Sequence, residues 1–219
     1  MSRPLFSART GRLSLWLSGA ALAFLAFIRI TRELVEGDVT ALDRTILLAV
    51  TRMRTPWLTS VAIDLTALGS ITLVVLFSTF ALVVLLVLRD RLGAIQLLAA
   101  SAGAGILTTV TKNFIERIRP EEAQQLIVVS GFSYPSGHSL STSALYLTIA
   151  IIAGRHVQPS GAKAAIFLAV AAVLLMVGAS RVYLGVHYAT DVFSGISLGA
   201  AWALLLAGFF TFIGHRGSS

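Results

Sequence analysis

Long apolar runs separated by short charged segments constrain this chain more than any other feature of its sequence. The runs at 57–88, 92–114 and 188–213 all reach the ~20 residues that a helix needs to cross a lipid bilayer. Hydrophobic residues make up 56% of the 219 positions and charged residues 12%, which leaves too little polar surface to cover a water-soluble globule. The sequence therefore predicts an all-α, polytopic membrane helical bundle.

We expect about six transmembrane helices. The first is predicted at 13–28, as a retained span and not a signal peptide, because apolar residues continue past the small-residue stretch at 21–23. Residues 57–88 are too long for one span, so a break at Gly69 and Ser70 is predicted, with 71–88 crossing the bilayer. The other four spans are predicted at 92–114, 139–153, 164–179 and 188–213.

Residues 29–56, between the first two spans, mix charged and apolar side chains at a loosely helical spacing. This pattern predicts an N-terminal amphipathic helix lying at the membrane interface. Asp64, in the second apolar run, is expected to be an interfacial acid that faces water. Neither an internal repeat nor a linker divides the sequence, so we expect a single domain over residues 1–219.

The net charge of +7 raises the question of which partners the chain binds. Its basic residues lie at the ends of apolar runs and not in an aromatic-rich soluble patch, which favours membrane lipids and an anionic substrate over nucleic acid. The sequence contains no cysteine, so disulfide and thiolate chemistry are excluded. The oligomeric state is not indicated by the sequence.

Six spans would place both chain termini on one side of the membrane. Eight of the 17 lysines and arginines, Arg216 included, then lie on the terminal side and nine on the other, so the count alone does not orient the chain. Three of those nine, however, are candidate site residues. We therefore expect cytoplasmic termini, with the polar ends of spans three to six facing the extracytoplasmic side.

An arginine, a histidine and an aspartate stand between the last two apolar runs, as Arg181, His187 and Asp191. If a helix begins near His187, Asp191 lies one turn further along the same face and its carboxylate reaches one imidazole nitrogen. The other nitrogen is then free to act as a nucleophile or general base. A histidine and an aspartate at this spacing, taken alone, more often cap or pair at a membrane boundary.

Two further groups of residues change that interpretation. Lys112 and Arg119 are seven residues apart, which puts them on one face if the helix continues, and Pro120 ends the span. Ser136, Gly137 and His138 precede an apolar helix, where free backbone amides bind anions. Snorkelling cations and a simple serine cap explain each group alone. Together, the cations, the two histidines and the aspartate suit phosphoryl transfer.

The three motifs resemble the signature motifs of the type 2 phosphatidic acid phosphatase (PAP2) and vanadium haloperoxidase superfamily. They read Lys112-x6-Arg119-Pro120, Pro135-Ser136-Gly137-His138 and Ser180-Arg181-x5-His187-x3-Asp191, in the family's order. Because the haloperoxidase branch is soluble and longer, the apolar runs favour the membrane lipid phosphate phosphatases. The motif core covers residues 112–191.

The resemblance implies a role for each motif residue. His187 would attack phosphorus to form a phosphohistidine, with Asp191 orienting it, and His138 would protonate the leaving group and then activate water. Lys112, Arg119, Arg181, Ser136 and Gly137 would hold the phosphoryl oxygens, and neither a metal nor another cofactor would be needed. Asp191 should raise the pKa of His187, so we expect the nearby cations to lower it again.

The substrate remains open among phosphatidic acid, phosphatidylglycerophosphate and undecaprenyl diphosphate, with undecaprenyl diphosphate or a broad range of lipid phosphates favoured. A lipid phosphotransferase would use the same phosphohistidine and pass it to a lipid or sugar acceptor. A transporter is a more remote alternative, because its charges would lie at midspan in paired repeats, whereas here they lie at span ends.

Overall fold

The computed structural model describes residues 3–121 and 124–214, with side chains from Thr10 onward. Arg216, counted in the topology argument, lies outside these ranges. The described chain forms eight α-helices: α1 (Arg3–Glu36), α2 (Thr40–Arg52), α3 (Pro56–Ala67), α4 (Ile71–Val87), α5 (Arg91–Ile115), α6 (Gly137–His156), α7 (Ser160–Tyr183) and α8 (Ala189–Ile213). The prediction of an all-α bundle is confirmed.

Four described helices are long and apolar enough to cross a membrane, namely α1, α5, α7 and α8. The pair α3 and α4, bent by 44°, makes a fifth if it counts as one span. The remaining predicted span corresponds to α6, whose 20 residues include several serines and threonines. Because α6 packs against α4, α5, α7 and α8, the bundle itself surrounds these polar side chains.

The boundary between the first span and the amphipathic helix differs from the prediction. Residues 29–36 continue α1, supported by ion pairs one turn apart from Arg29 to Glu33 (2.9 Å) and from Arg32 to Glu36 (2.8 Å). The helix ends where Gly37 takes a φ of 87°. The amphipathic helix is therefore the shorter α2, which begins at Thr40.

The predicted break at Gly69 and Ser70 is confirmed, since α3 ends at Ala67 and α4 begins at Ile71. The Ser70 hydroxyl caps α4 by accepting a hydrogen bond from the Leu73 amide (3.3 Å). A Cβ on Gly69 would lie 3.1 Å from the Cβ of His138. The break thus brings the α3–α4 turn directly against the first turn of α6.

Helices α6 and α8 approach closely along the glycines of α8. A Cβ on Gly195 would lie 2.6 Å from the carbonyl oxygen of Ser136, and one on Gly199 would lie 2.8 Å from the Cβ of Ser143. The backbone amide of Ser136 donates to the carbonyl of Asp191 over 2.9 Å. This small-residue packing places the N-termini of α6 and α8 side by side.

Candidate active site

All eight site residues predicted from the sequence lie at one end of the bundle, where α5 and α7 end and α6 and α8 begin. Residues 116–121 and 124–136, together with helix α2, cover this end. His187, Asp191, Arg181 and Ser136 are each at most 2% exposed. A set of polar and charged side chains this deeply buried needs partners within the site, and the hydrogen bonds supply many of them.

His187 and Asp191 form the expected pair. Nδ1 of His187 lies 3.3 Å from Oδ2 of Asp191, although His187 precedes α8 and Asp191 lies in its first turn. The same Oδ2 also accepts the backbone amide of Tyr188 (2.9 Å). The carboxylate therefore fixes both the ring and the chain next to it, and Nε2 points the other way.

Arg119 contacts that second nitrogen. Its Nη1 lies 3.2 Å from Nε2 of His187 and donates to the carbonyl of Val186 over 2.7 Å. Because a guanidinium has only hydrogen-bond donors, Nε2 is the acceptor. Nδ1 therefore carries the ring proton and donates a hydrogen bond to Asp191. The unprotonated Nε2 is the atom that a nucleophilic histidine needs.

The route by which Arg119 reaches the site differs from the helical spacing expected. Helix α5 ends at Ile115, four residues before Arg119, and Glu116 adopts a left-handed φ of 51°. The chain then turns back over the bundle, held by hydrogen bonds from Arg119 to the carbonyls of Ser130 (3.3 Å) and Gly131 (2.9 Å). A loop, not a shared helix face, therefore brings Lys112 and Arg119 to one site.

The other two predicted cations come from helix ends. Lys112, in the last turn of α5, donates to the carbonyl of Phe132 and is close enough to interact electrostatically with Arg119, Arg181 and Asp191. Arg181, in the last turn of α7, donates to the Thr66 hydroxyl over 3.0 Å. Its Nε has no hydrogen-bond partner among the described residues, so this buried guanidinium retains a donor for an anion.

The second motif forms the start of α6. Ser136 caps the helix by accepting the Ser139 amide (3.4 Å), which confirms the capping role weighed for it. Gly137 is the first helical residue, and the half-buried His138 interacts electrostatically with Arg181, His187, Arg119 and Lys112. The free amides of this first turn therefore face the same space as the cations.

A groove of about 540 Å³ leads to this space from the side of the bundle. It lies between α4, α5 and α6, and Lys112, Gly137 and His138 line one part of it. Its other walls carry apolar and small residues such as Val74, Val75 and Gly105. A Cβ on Gly105 would meet no atom within 4 Å, so the groove is open at this position.

Two charged residues of the site were missed by the sequence analysis. Arg117 donates to Oδ1 of Asp191 (2.6 Å) and to Oδ2 of Asp43 (2.7 Å), and its guanidinium lies 4.1 Å from the centre of the Tyr188 ring. One signal could have revealed Asp43. Val39, Asp43 and Leu47 are spaced four residues apart, which puts an acid on the apolar face of α2.

Burial is the main cause of the electrostatic state of His187. It lowers the pKa of the imidazole, and although Asp191 raises it, Arg181 and Arg119 lower it further, to about 4. The sequence argument attributed the lowering to cations alone. For Arg117, burial opposes the charge, but Asp191 and Asp43 outweigh it and raise the pKa. His187 is thus neutral near pH 7 and Arg117 is charged.

Asp64, in contrast, is an exposed residue of α3, as expected for an acid that faces water. The described residues of the site therefore comprise the eight predicted residues, with Gly137 contributing its backbone amide, together with Arg117, Asp43 and Thr66.

Comparison with known proteins places this geometry in a family. The model of the PAP2 superfamily matches residues 93–214. Phosphatidylglycerophosphatase B of Bacillus subtilis (strain 168) is 33% identical over 194 residues, which cover 85% of this chain and 92% of that protein. The lipid A 1-phosphatase of Rhizobium johnstonii is 31% identical over 113 residues, covering 48% of this chain and 42% of that protein.

The fold comparison agrees. The crystal structure of a transmembrane PAP2 type phosphatidylglycerolphosphate phosphatase from Bacillus subtilis has a TM-score of 0.82 to this chain, at 32% identity, and covers 87% of this chain and 95% of its own. Family match, sequence identity and fold extend well beyond the three motifs. This protein belongs to the PAP2 superfamily.

Proposed function

We propose that this protein is an integral membrane lipid phosphatase that works through a phosphohistidine on His187. One observation carries the proposal: Asp191 holds Nδ1 of a buried His187, while the unprotonated Nε2 faces Arg119, next to the groove that Lys112, Gly137 and His138 line. A nucleophile, fixed cations and a lateral groove are what hydrolysis of a lipid phosphate requires.

In the first half-reaction, the lone pair on Nε2 of His187 attacks phosphorus. The bond from phosphorus to the lipid oxygen breaks, and that oxygen takes a proton from the His138 imidazolium. Lys112, Arg119 and Arg181 neutralise the phosphoryl oxygens, together with Ser136 and the amide of Gly137. Asp191 stabilises the positive charge that develops on the His187 ring.

In the second half-reaction, His138 is neutral and accepts a proton from a water molecule that attacks the phosphohistidine. The bond from phosphorus to Nε2 breaks, its electrons return to the ring nitrogen, and inorganic phosphate leaves. The same residue thus serves as acid and then as base, as microscopic reversibility requires. Side chains and backbone groups of the described residues carry out both steps, and no step of this scheme is assigned to a metal.

The groove sets the substrate class. A lipid chain lying between α4 and α5 stays in apolar surroundings while its phosphate reaches Lys112 and His138. Because the relative whose alignment covers 85% of this chain is named for phosphatidylglycerophosphate, that lipid is the first candidate. Phosphatidic acid and undecaprenyl diphosphate belong to the same test. Residues 1–219 act as one unit around the motif core at 112–191.

The site is proposed to serve the extracytoplasmic leaflet of the bacterial plasma membrane. Arg89, Arg91, Arg155 and Lys163 lie in the short loops at the opposite end of the bundle or in the helix turns beside them, where positive charge favours the cytoplasm. The exposed apolar side chains of α2, among them Leu42 and Leu48, suit a helix lying in the membrane interface at the active-site end.

The test is release of phosphate by the detergent-purified full chain, with no acceptor added, across the three candidate lipids and with a chelator present. Rapid-quench labelling should give an acid-labile, base-stable phosphoenzyme, which His187→Ala abolishes. His156→Ala, at the far end of the bundle, is the matched control and should keep both label and turnover. Labelling that persists in His187→Ala, or turnover only with an added acceptor, would overturn the proposal.

A further inference from the structure

Arg117 bridges two carboxylates that are both completely buried. Its Nη1 lies 2.6 Å from Oδ1 of Asp191 and its Nη2 lies 2.7 Å from Oδ2 of Asp43; both aspartates have 0% exposed side chains and the arginine 11%. Asp191 comes from α8, Asp43 from α2, and Arg117 from the segment after α5. One cation therefore joins three separate parts of the chain behind the nucleophile.

Asp43 also binds the start of α8. Its Oδ1 accepts the backbone amide of Thr190 over 3.0 Å, and its Oδ2 accepts the Thr190 hydroxyl. The first amides of a helix have no partner within the helix, and a carboxylate there is stabilised by the helix dipole. A side chain of α2 thus caps the helix turn that carries Asp191.

The two carboxylate oxygens of Asp191 have different hydrogen-bond partners. Oδ1 faces Arg117, whereas Oδ2 faces Nδ1 of His187 and the amide of Tyr188. If Arg117 had no second carboxylate, it would pair with Asp191 alone. This stronger attraction would weaken the hydrogen bond between Asp191 and the His187 imidazole. Because Asp43 shares the guanidinium, Asp191 keeps negative charge available for the His187 ring.

We propose that Asp43 is a positioning residue for the nucleophile, acting through Arg117 on Asp191. The proposal rests on the function proposed for His187. Asp43 lies outside the residues that the family model matches, and Arg117 lies between the fixed positions Lys112 and Arg119. Neither residue touches the space where phosphate would bind. Helix α2 is accordingly part of the catalytic apparatus and not only an anchor at the interface.

The experiment compares Asp43→Asn, Asp191→Asn and the double variant in the full chain, with a phosphatidylglycerophosphate or phosphatidic acid substrate that the wild type hydrolyses. Asp43→Asn should lower kcat by about 10- to 100-fold, since small misplacements of reacting groups cost this much, with KM changed less than about threefold. The double variant should be no slower than Asp191→Asn, because residues that act as a unit are non-additive.

Multiplied losses in the double variant, or an unchanged kcat in Asp43→Asn, would overturn the inference while leaving the proposed function standing. Absence of any turnover in the wild type would instead overturn the proposed function and this inference with it. Arg44→Gln, on the exposed side of α2, is the control and should retain kcat.

If Asp43→Asn does not fold, the double variant Asp43→Leu with Arg117→Met supplies the test. Replacing a buried ion pair with apolar residues of similar volume is often neutral for folding. Asp191 keeps His187 and the Tyr188 amide as partners but loses the Arg117 cation, so the variant should unfold cooperatively in detergent at a midpoint below that of the wild type, while kcat remains about 10- to 100-fold low. A folded variant with wild-type kcat would show that the pair has no positioning role.

Discussion

Arg119 donates a hydrogen bond to Nε2 of His187 over 3.2 Å and so lies on the approach that a phosphorus atom would take to that nitrogen. An incoming phosphoryl group has oxygens that accept from the same guanidinium in charge-assisted hydrogen bonds. Substrate binding would therefore exchange the bond to Nε2 for bonds to phosphoryl oxygens. The exchange frees the lone pair at the moment when phosphorus is held beside it.

The first prediction concerns pH. Burial, with Arg181 and Arg119, lowers the pKa of His187 from the usual 6.5 to about 4. The attacking form is neutral, so the acid limb that belongs to His187 should be centred near pH 4, and the rate of phosphoenzyme formation at saturating substrate should fall as the pH drops from about 5 toward 4. Rapid-quench labelling over this range measures it.

Arg119→Gln provides the comparison for that measurement. Removing a nearby cation raises the pKa of His187, so the acid limb of the variant should move to higher pH even though its rate is lower. Ionisation of the substrate affects both proteins equally, and a difference between them belongs to the protein. An acid limb centred near 6.5 in the wild type would contradict the neutral, buried state of His187.

The second prediction concerns the backbone that leads to His187. Gly185 has a φ of 74°, and a Cβ there would overlap the carbonyl oxygen of Gln124 and lie 2.8 Å from the guanidinium of Arg54. Gly185→Ala should therefore destabilise the protein by about 2 kcal/mol or more and reduce turnover, because His187 is two residues away. Thermal unfolding in detergent measures the first effect.

Gly154→Ala is the matched control for that substitution. Gly154 lies within α6, and a Cβ at this position would meet no atom within 4 Å. Replacing a helical glycine by alanine in open space should raise stability by up to about 1 kcal/mol and leave turnover unchanged. Equal losses in the two variants would show that the strained φ of Gly185 is not the cause.

The site residues that sequence reasoning identified belong to local motifs, whereas those it missed act across long separations. Arg117 is 74 positions from both Asp43 and Asp191, and no periodic pattern reports a pairing of that kind. Only the acid on the apolar face of α2 indicated that a buried partner was needed. That this partner is Arg117 depends on how the loop after α5 turns back over the bundle.

The existence of the helices was predicted well, and so were the ends of α4, α5 and α8, but the end of α1 was not. The break at Gly69 and Ser70 followed from span length and small residues. In contrast, α1 continues past Ile28 because its arginines and glutamates pair one turn apart, and this gain is independent of hydropathy. Helix α6 also shows that a polar helix can be enclosed by its neighbours, which hydropathy alone does not reveal.

The third prediction tests the groove. Gly105 lines it and has open space at its Cβ position, so Gly105→Phe should fill the groove without disturbing the packing of the bundle. Hydrolysis of a long-chain lipid phosphate should fall by about 10-fold or more in kcat/KM, while hydrolysis of a short, water-soluble phosphate ester should change little.

Ile106→Phe supplies the control for the groove variant. Its side chain is 64% exposed and lies on the next position of α5, which points away from Gly105. This variant should hydrolyse both substrates as the wild type does. Equal losses on the long and the short substrate in Gly105→Phe would mean that the groove does not hold the lipid chain.

The last prediction concerns the side of the membrane on which the site lies. Because the sequence has no cysteine, single cysteines report exposure directly. In the loop after α5, Gln124 is half-buried and its carbonyl accepts a hydrogen bond from Arg54, whereas Val128 is fully exposed. Val128→Cys should react with a membrane-impermeant maleimide in intact spheroplasts, and Gln158→Cys, exposed at the opposite end, only after lysis. The reverse pattern would place the active site in the cytoplasmic leaflet.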